Sequence, residues 1–307
     1  MSLINKKFLI VGGTGFIGYS IIKKLLRQKS KVFSLSTSKP KKLRKLSNVK
    51  YLKGNIKKFS EINKILKNKE FDYVINCGGY VEHVNKKEVY DSHYKGSINL
   101  YNIFKKKKLN QFIQIGSSTE YGNVKVPHDE NYICKPSGIY GKMKLKATKF
   151  FLKQFRQNNF PVTIIRFYQV YGPYQDFNRF IPQLIKSSIQ KKNFITSHGN
   201  HFRDFLFIED AVDAIIKTIK SKKTYGEILN IGFGKGTKLK SIMNLIKKKN
   251  NFLAPMFGKI KTRTGEQLLI FPKIKKSKKL ISWYPRTSIS KGLEKTNKFY
   301  IKKLKNG

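Results

Sequence analysis

The sequence predicts an α/β protein with a Rossmann-type, doubly wound parallel sheet and a smaller C-terminal α/β lobe. Strand and helix patterns alternate through the first half at the spacing of βαβ units, and a glycine-rich turn joins the first strand to the first helix. The 307 residues suffice for one large domain or two unequal lobes. We place the sheet domain at residues 1–172 and the lobe, which interleaves with it, at 173–307.

Short apolar runs predict six parallel strands, because strands that are buried on both faces are apolar throughout. They cover residues 8–11, 31–35, 49–52, 73–76, 112–115 and 162–166. Apolar residues at helical spacing predict helices over 16–26, 62–66, 94–104 and 139–155. Beyond Pro173 the pattern loosens, with helices at 211–219 and 241–247 and no flexible linker. We therefore expect this part of the chain to pack on the first domain.

The charge of the chain is unusual, with 65 Lys and Arg against 17 Asp and Glu and a formal net charge of +48. Only eight of the basic residues are arginine, the lysines are scattered along the whole chain, and no basic-aromatic recognition module is present. We interpret the charge as a composition bias spread over solvated surfaces, and we expect no specific nucleic-acid partner. The field of such a surface would still attract anionic substrates.

The cysteines and the hydropathy bear on location. Cys77 and Cys134 have neither the spacing of a metal site nor that of a disulfide framework, which is consistent with a reducing cytoplasm and no metal. No apolar run approaches the roughly 20 residues of a membrane helix, so we expect no membrane insertion. The apolar run before Gly12 lacks the cleavage-site pattern of a signal peptide and is interpreted as the first strand.

A glycine-rich turn follows the first strand and opens the first helix. In this context one glycine permits a tight turn, a second permits close approach of a pyrophosphate, and a third permits close packing of helix and strand. The helix N-terminus offers N–H groups and partial positive charge to the phosphates. The predicted phosphate-binding residues of the cofactor site are Gly12, Gly15, Phe16, Ile17 and Gly18.

The segment after the second strand bears on the choice of cofactor. An NAD site commonly has Asp or Glu there, which binds the ribose 2′-hydroxyl. This chain has Ser36 and Thr37 instead, followed by Lys41, Lys42 and Arg44. Hydroxyl groups and cations suit a 2′-phosphate, so the sequence favours NADP. NAD stays possible, because nearby lysines are weak evidence in a lysine-rich chain.

Three polar residues predict carbonyl chemistry. Tyr140 and Lys144 are four residues apart, so on a helix they share one face, and Ser117 ends the fifth strand, where ligands of this fold bind. A carbonyl that receives hydride needs a proton donor and a hydrogen-bond donor at its oxygen. We predict Tyr140 as the acid/base, Lys144 as the cation that lowers the pKa of Tyr140 and binds ribose, and Ser117 as the polarising donor.

The sequence resembles the extended short-chain dehydrogenase/reductase family, also described as the NAD-dependent epimerase/dehydratase family. This family contains epimerases, dehydratases and reductases of nucleotide sugars. The similarity covers nearly the whole chain. It rests on residues 12–18, 117–122, 140–144, 166–173, 203–205, 230–232, 263–266 and 283–285. The resemblance implies a nucleotide-diphosphate sugar as substrate, a C-terminal lobe that binds it, and a homodimer formed through the helices at 94–104 and 139–155.

The resemblance also implies roles for single residues. Further cofactor contacts fall on Asn55, Ile56, Cys77, Gly78, Phe167 and Val170. The implied substrate contacts are Ser118, Thr119, Tyr168, Gln169, Arg203 and Arg263. The two arginines would bind the diphosphate, since a planar guanidinium offers paired hydrogen bonds to phosphate.

Departures from the family pattern narrow the chemistry. The 4,6-dehydratase branch carries an acid where this chain has Thr119, and Glu120 is expected to point the wrong way, so dehydration is disfavoured. The cysteine that the GDP-fucose synthase branch uses for epimerisation is absent too. His93 replaces a common Asn, Asn55 replaces a common Asp, and Gly78 and Gly79 replace the usual small pair. None of these changes removes a catalytic group, and we expect a structural role for His93.

Three functions stay open. The first is an NADPH-dependent reductase of a 4-keto-6-deoxy sugar, because residues 167–169 and 257–260 look similar to the CDP-abequose-synthase-like reductases of surface-polysaccharide pathways. The second is an epimerase of a UDP-, CDP- or GDP-sugar with tightly bound NAD(P). The third, more distant, is a non-catalytic dinucleotide- or nucleic-acid-binding protein, against which the presence of Ser117, Tyr140 and Lys144 argues.

Overall fold

The computed structural model describes residues 2–80, 82, 84–250, 254–260 and 267–305. Arg263 lies outside the described residues. The strands in chain order are β1 (Lys7–Val11), β2 (Lys31–Ser36), β3 (Val49–Lys53), β4 (Tyr73–Asn76), β5 (Gln111–Ser117), β6 (Val162–Phe167), β7 (Gln169–Tyr171), β8 (Asn193–Ile195), β9 (Phe202–Arg203), β10 (Phe205–Phe207), β11 (Ile228–Ile231), β12 (Thr237–Lys238), β13 (Ala254–Met256) and β14 (Leu269–Ile270).

Seven parallel strands form the main sheet in the order β11-β6-β5-β4-β1-β2-β3. The direction of winding reverses between β1 and β4, which is the arrangement that opens a ligand crevice in doubly wound sheets. The predicted Rossmann-type fold is confirmed, and the six predicted strands are all present with ends shifted by at most two residues. The edge strand β11 comes from beyond residue 173 and pairs with β6, so the lobe contributes to the main sheet.

Ten α-helices surround the sheet within the described residues. They are α1 (Phe16–Arg27), α2 (Phe59–Leu66), α3 (Lys86–Tyr90), α4 (Gly96–Phe104), α5 (Ile139–Asn158), α6 (Phe180–Ile189), α7 (Ile208–Ile219), α8 (Leu239–Asn250), α9 (Lys275–Ile281) and α10 (Ile289–Lys305). The helix predicted over 94–104 begins at Gly96 and is preceded by a π-helical segment, Asp91–Lys95, which follows α3 directly. Such segments are frequent at functional sites.

The core consists of two apolar layers on opposite faces of the sheet. In β1, Phe8 and Ile10 belong to one layer, whereas Leu9 and Val11 belong to the other. This alternation follows from the period of two residues in a strand. Since both faces are covered, the ligand crevice can lie only beyond the strand ends, as in other sheets of this kind.

Within the described residues, the C-terminal part of the chain packs on the same core and forms two small sheets of its own, and its strand β10 forms a third with β7. β10 pairs with β7, β9 lies between β12 and β14, and β13 pairs with β8. Trp283 is fully buried and its indole N–H donates to the carbonyl of Asp210 at 3.1 Å, while the Asp210 carboxylate accepts the N–H of Thr287 at 2.9 Å. These contacts tie the segment after α9 to α7.

Candidate active site

Four strand ends bring the candidate site together. In the sheet register Val11 of β1 lies beside Asn76 of β4, and Ser117 of β5 lies beside Phe167 of β6. These residues end their strands at the same edge of the sheet. The cofactor loop after β1 and the predicted catalytic serine after β5 are thus on the same side of the molecule.

The glycine-rich turn is packed too closely for side chains. A Cβ at Gly18 would lie 2.4 Å from the carbonyl oxygen of Gly12, so the first turn of α1 can approach the loop only with glycine at this position. Gly15 is the N-cap of α1, and since it lacks a side chain the first N–H groups of the helix are not capped from within. Phe16 and Ile17 are the first helical residues. This arrangement suits an anion such as a pyrophosphate.

A cavity of about 1120 Å³ opens beside this turn. Eight of the predicted cofactor residues line it: Gly12, Gly15, Ser36, Thr37, Asn55, Ile56, Cys77 and Gly78. Burial raises the pKa of the Cys77 thiol to about 12, so Cys77 is a protonated wall residue and not a nucleophile. The residues present therefore fit a dinucleotide.

The lobe supplies a wall of the cavity that sequence reasoning missed. Residues 174–179, which follow β7, face the same space as the end of β2. No local pattern marks them, because the contact spans more than 130 positions in the chain. Phe167 and Val170, which the sequence also predicts as cofactor contacts, do not line this cavity: Phe167 is 5% exposed within the core, and Val170 packs against that core. Their contact with a cofactor stays a prediction.

Ser117 turns the chain from β5 into a short 3-10 turn, Ser118–Glu120. Its hydroxyl oxygen accepts hydrogen bonds from the N–H of Thr119 at 3.2 Å and from the hydroxyl of Thr119 at 2.9 Å. Its own N–H donates to the Glu120 carboxylate at 2.9 Å. This reciprocal capping fixes the position of the serine side chain.

Lys144 is almost fully buried in α5. It is 4% exposed, and its ammonium donates to the carbonyl of Ile115 in β5 at 2.7 Å. Burial lowers the pKa of Lys144 to about 8, and the nearby Glu120 carboxylate opposes that effect. The ammonium lies 5.9 Å from the centre of the Tyr140 ring, one helical turn earlier. The helical spacing thus places the cation beside the phenol, as predicted.

Tyr140 completes the group. Burial raises the pKa of its phenol to about 12, and a hydrogen bond with Ser117 acts in the opposite direction. The lowered pKa that the sequence predicts from the neighbouring Lys144 is therefore wrong for this structure, because burial outweighs the neighbouring charges. The structure therefore brings Ser117, Tyr140 and Lys144 together at the carboxyl edge of the sheet. The charge of Arg179, which lines the cofactor cavity, also acts to lower the pKa of Tyr140. Charges in the cavity therefore affect the ionisation of this phenol. The catalytic roles of the three residues stay predictions.

Glu120 lies beneath this group and points into the interior. It is fully buried, and its carboxylate accepts from Nε of Arg166 at 2.9 Å and from the hydroxyl of Thr148 at 2.8 Å. Arg166 is 1% exposed. A carboxylate held in this way cannot reach a substrate, which agrees with the expected direction of Glu120.

The predicted substrate residues are divided between surface and interior. Thr119 and Gln169 are exposed, and Ser118 is half-buried. Tyr168 is 6% exposed, and its hydroxyl lies 3.0 Å from Nδ1 of His128. Burial lowers the pKa of His128 to about 4, so this imidazole is neutral at physiological pH. The side chain of Tyr168 is thus engaged in the interior, and a substrate contact by this residue stays a prediction.

Arg203 is held by its own lobe. It is 7% exposed, and Nη1 donates to the carbonyls of Phe202 at 2.9 Å and Leu268 at 3.2 Å. The following residue, Asp204, accepts the N–H groups of Phe233 and Gly234, each at 2.7 Å. These bonds fix the backbone around Arg203. Diphosphate binding by Arg203 and Arg263 stays a prediction.

The described part of the chain contains neither a membrane-spanning helix nor a metal-binding cluster. None of its helices has both the length and the apolar character needed to cross a membrane. Within the same residues, no group of three or more His, Cys, Asp or Glu side chains is arranged to hold a metal ion.

A parallel sheet of this order, a glycine-rich phosphate turn and a Ser-Tyr-Lys group define a nicotinamide-dependent enzyme of the extended short-chain dehydrogenase type. The chain belongs to the NAD-dependent epimerase/dehydratase family, whose sequence model matches residues 8–232. The resemblance seen in the sequence is thereby confirmed.

Relatives named as epimerases and relatives named as dehydratases both match almost the whole chain. A putative UDP-glucose 4-epimerase of Methanocaldococcus jannaschii is 26% identical over 94% of this chain and 96% of its own length. The human dTDP-D-glucose 4,6-dehydratase is 26% identical, with 98% of this chain and 91% of the relative covered. The solved UDP-glucuronic acid 4-epimerase of Bacillus cereus, in complex with UDP-glucuronic acid and NAD, shares the fold with a TM-score of 0.88 at 24% identity, covering 97% and 99% of the two chains.

Proposed function

We propose that this protein is a nucleotide-sugar epimerase that keeps its nicotinamide dinucleotide bound through turnover. The observation that carries the proposal is the placement of Ser117, Tyr140 and the buried Lys144 at the sheet edge beside a cavity of dinucleotide size. Relatives named as 4-epimerases of UDP-glucose and UDP-glucuronate support an epimerase over the reductase that the sequence favoured.

The residues of the chain would act at the oxygen of the reacting sugar carbon. A bound nicotinamide dinucleotide supplies a hydride acceptor that can later return the hydride. Tyr140, acting in its phenolate form, would accept the proton of the sugar hydroxyl as hydride leaves the carbon, and would return that proton when hydride comes back to the opposite face. The Lys144 cation stabilises the phenolate. Ser117 donates a hydrogen bond to the oxygen at the carbonyl stage.

The position of the acid argues against dehydration. A dehydratase needs a carboxyl group beside the sugar to donate a proton to the departing hydroxyl. This chain has the exposed Thr119 at the corresponding position, and Glu120 is bound to Arg166 in the interior. The relatives named as dehydratases therefore share the scaffold with this chain but not, on our proposal, the reaction.

The reductase stays the second candidate. It is favoured by residues 167–169 and 257–260, which look similar to 4-keto sugar reductases, and by the cations after β2, which suit NADP. A reductase exchanges its cofactor in every turnover, whereas an epimerase does not. The choice between NADP, which the sequence favours, and NAD depends on the groups that face the adenosine ribose.

The substrate, partner and location follow the family pattern. A nucleotide-diphosphate sugar would be attracted by the positive field of the chain and bound by Arg203 and Arg263. We also propose a homodimer through α4 and α5 and a cytoplasmic location, the latter from the unpaired Cys77 and Cys134.

The cofactor content of the purified protein tests the proposal. The protein is denatured, and released nicotinamide dinucleotide is quantified by absorbance and mass spectrometry. The epimerase is expected to release close to one dinucleotide per chain. Protein that arrives empty, and that consumes NADPH in stoichiometric amounts with a 4-keto nucleotide sugar, would establish the reductase instead.

A further inference from the structure

Two cations that follow β2 and line the cavity are paired with a carboxylate from the lobe. The ammonium of Lys41 lies 2.8 Å from one oxygen of Asp176, and Nη2 of Arg44 lies 2.9 Å from the other. Lys41 and Arg44 belong to the segment after β2, whereas Asp176 belongs to the segment after β7. The pairing therefore closes the cavity wall across the two parts of the molecule.

The Arg44 side chain is fixed by three further contacts. It is 6% exposed; Nε donates to the carbonyl of Tyr174 at 3.0 Å, Nη2 donates to the same oxygen, and Nη1 reaches the carbonyl of Thr14 at 3.4 Å. Tyr174 is in turn packed between the rings of Tyr19 and Phe299, with centroid distances of 4.8 and 4.4 Å. The guanidinium thus has one position, between the glycine-rich turn and the lobe.

This ion-pair group lies where the ribose 2′ substituent is recognised in Rossmann folds. The hydroxyl of Ser36, the last residue of β2, accepts the N–H of Thr14 at 3.3 Å, and Thr14 also contacts Arg44. Ser36, Lys41, Arg44 and Asp176 all line the cavity. The end of β2 is the place from which an acid binds a 2′-hydroxyl or an arginine binds a 2′-phosphate.

The chemistry of this ion-pair group favours a ribose 2′-hydroxyl, as in NAD, over the 2′-phosphate of NADP. Burial would raise the pKa of the Asp176 carboxyl, but bonds and charge from Lys41 and Arg44 lower it below its usual value, so the carboxylate is ionised at neutral pH. A ribose 2′-hydroxyl can donate a hydrogen bond to a carboxylate. A 2′-phosphate would be repelled by the carboxylate and would have to compete with it for cations that are already bonded.

We propose that Asp176 is the specificity-determining residue of the cofactor site: its carboxylate, supplied by the lobe, occupies Lys41 and Arg44 and thereby selects NAD over NADP. Lys42 also lines this end of the cavity, so the selection is a ratio of affinities and not an absolute exclusion. The inference rests on the proposed dinucleotide site, not on the sugar substrate. It is opposite to the NADP preference that the residues after β2 suggest on their own.

Competition between the two cofactors tests this inference directly. Wild type and Asp176→Asn are incubated with equal excess of NAD and NADP until the bound ratio no longer changes, so that any resident dinucleotide has exchanged. Each protein is then freed of unbound cofactor and denatured, and the bound ratio is measured by mass spectrometry. The wild type should hold mainly NAD, and Asp176→Asn should raise the NADP to NAD ratio by at least about fivefold, or about 1 kcal/mol. A wild type that holds mainly NADP, or a smaller rise in the variant, would overturn the inference.

Two further variants separate specific from general effects. Glu88→Gln removes another carboxylate of the same cavity wall, one that pairs with Lys57 at 2.7 Å, and should leave the ratio unchanged. An equal rise in Glu88→Gln would show that overall charge and not Asp176 sets the preference. Asp176→Glu keeps the charge and should keep NAD. Because bound cofactor is the readout, failure of the proposed epimerase reaction would leave this test intact.

Discussion

The imidazole of His93 packs edge-on against the ring of Tyr140, with centroids 5.0 Å apart and planes inclined by 77°. His93 comes from the π-helical segment, is 5% exposed, and has its Nε2 3.0 Å from the carbonyl of Tyr80. Gly79 has φ +152°, and a Cβ there would lie 2.0 Å from Cε1 of His93. Two departures from the family pattern, Gly79 and His93, are therefore parts of one contact that supports the proposed acid/base.

This contact predicts that His93 and Gly79 are energetically coupled. Gly79→Ala should lower the free energy of unfolding, because the new methyl group collides with the imidazole and the positive φ disfavours a side chain. In a His93→Ala background the collision is absent, so the additional loss should be smaller. Denaturant unfolding of the four proteins of the cycle measures the coupling. Additive losses would show that Gly79 and His93 act independently.

Removal of the Tyr140 hydroxyl should stop the chemistry and spare the cofactor. Tyr140→Phe is expected to lower kcat by about 10²–10⁴-fold, the range for loss of a general acid/base. Bound dinucleotide should be unchanged, because the ring and its packing remain. Tyr284→Phe, at a tyrosine that is 51% exposed, is the matched control and should keep full activity. Near-normal turnover by Tyr140→Phe would refute the assigned acid/base.

The pH dependence of turnover should follow Lys144. Burial lowers its pKa to about 8, so the ammonium is charged below that pH and loses its proton as the pH rises through it. The pKa of Tyr140 is raised to about 12, so formation of its phenolate is unfavourable and should depend on the charge of the Lys144 ammonium, which lies 5.9 Å from the centre of the Tyr140 ring. We therefore expect turnover to fall above a pH of about 8.

Arginine at position 144 separates loss of this charge from other alkaline effects. A guanidinium stays protonated over the pH range in which Lys144 loses its proton, so Lys144→Arg should move the alkaline limb of the pH profile to higher pH. This shift is expected even if the variant turns over more slowly than the wild type. Lys144→Met should be nearly inactive at every pH. An alkaline limb at the same pH in wild type and Lys144→Arg would assign that limb to a different group.

The buried ion pair of Glu120 and Arg166, which lies beneath the active site, should contribute strongly to the free energy of unfolding. Glu120→Gln leaves a buried guanidinium without its counter-charge, and breaking such a pair costs about 3–5 kcal/mol of unfolding free energy. Glu209→Gln, at an exposed pair with Lys295, is the matched control and should change stability little. Equal effects of the two variants in denaturant unfolding would contradict this account.

Local patterns predicted the sheet and the central residues of the site. Each predicted strand is a short apolar run, and burial on both faces requires that composition. The relation of Tyr140 to Lys144 is a helical spacing within α5, which a sequence shows directly. The shared carboxyl edge of parallel strands then placed Ser117 near them.

Long-range contacts could not be predicted in the same way. Nothing near Arg44 indicates that its charge is matched by Asp176, more than 130 residues later, so the sequence alone favoured NADP. The strand β11 joins the main sheet from the lobe for a similar non-local reason. The contact of His93 with Gly79 depends on a π-helical segment, for which the residues give no simple periodic pattern.

The most direct test of the proposed function follows the hydrogen of the reacting carbon. Because the relatives named as epimerases act, by those names, at carbon 4 of UDP-sugars, UDP-glucose and UDP-glucuronate with deuterium at carbon 4 are the probes. They are incubated with the purified protein, without added cofactor, and analysed by mass spectrometry and NMR. The account predicts interconversion of the two epimers with deuterium retained at that carbon, because the hydride leaves and returns within one bound complex. An absence of epimers, together with stoichiometric consumption of added NADPH or NADH by a keto sugar, would contradict it.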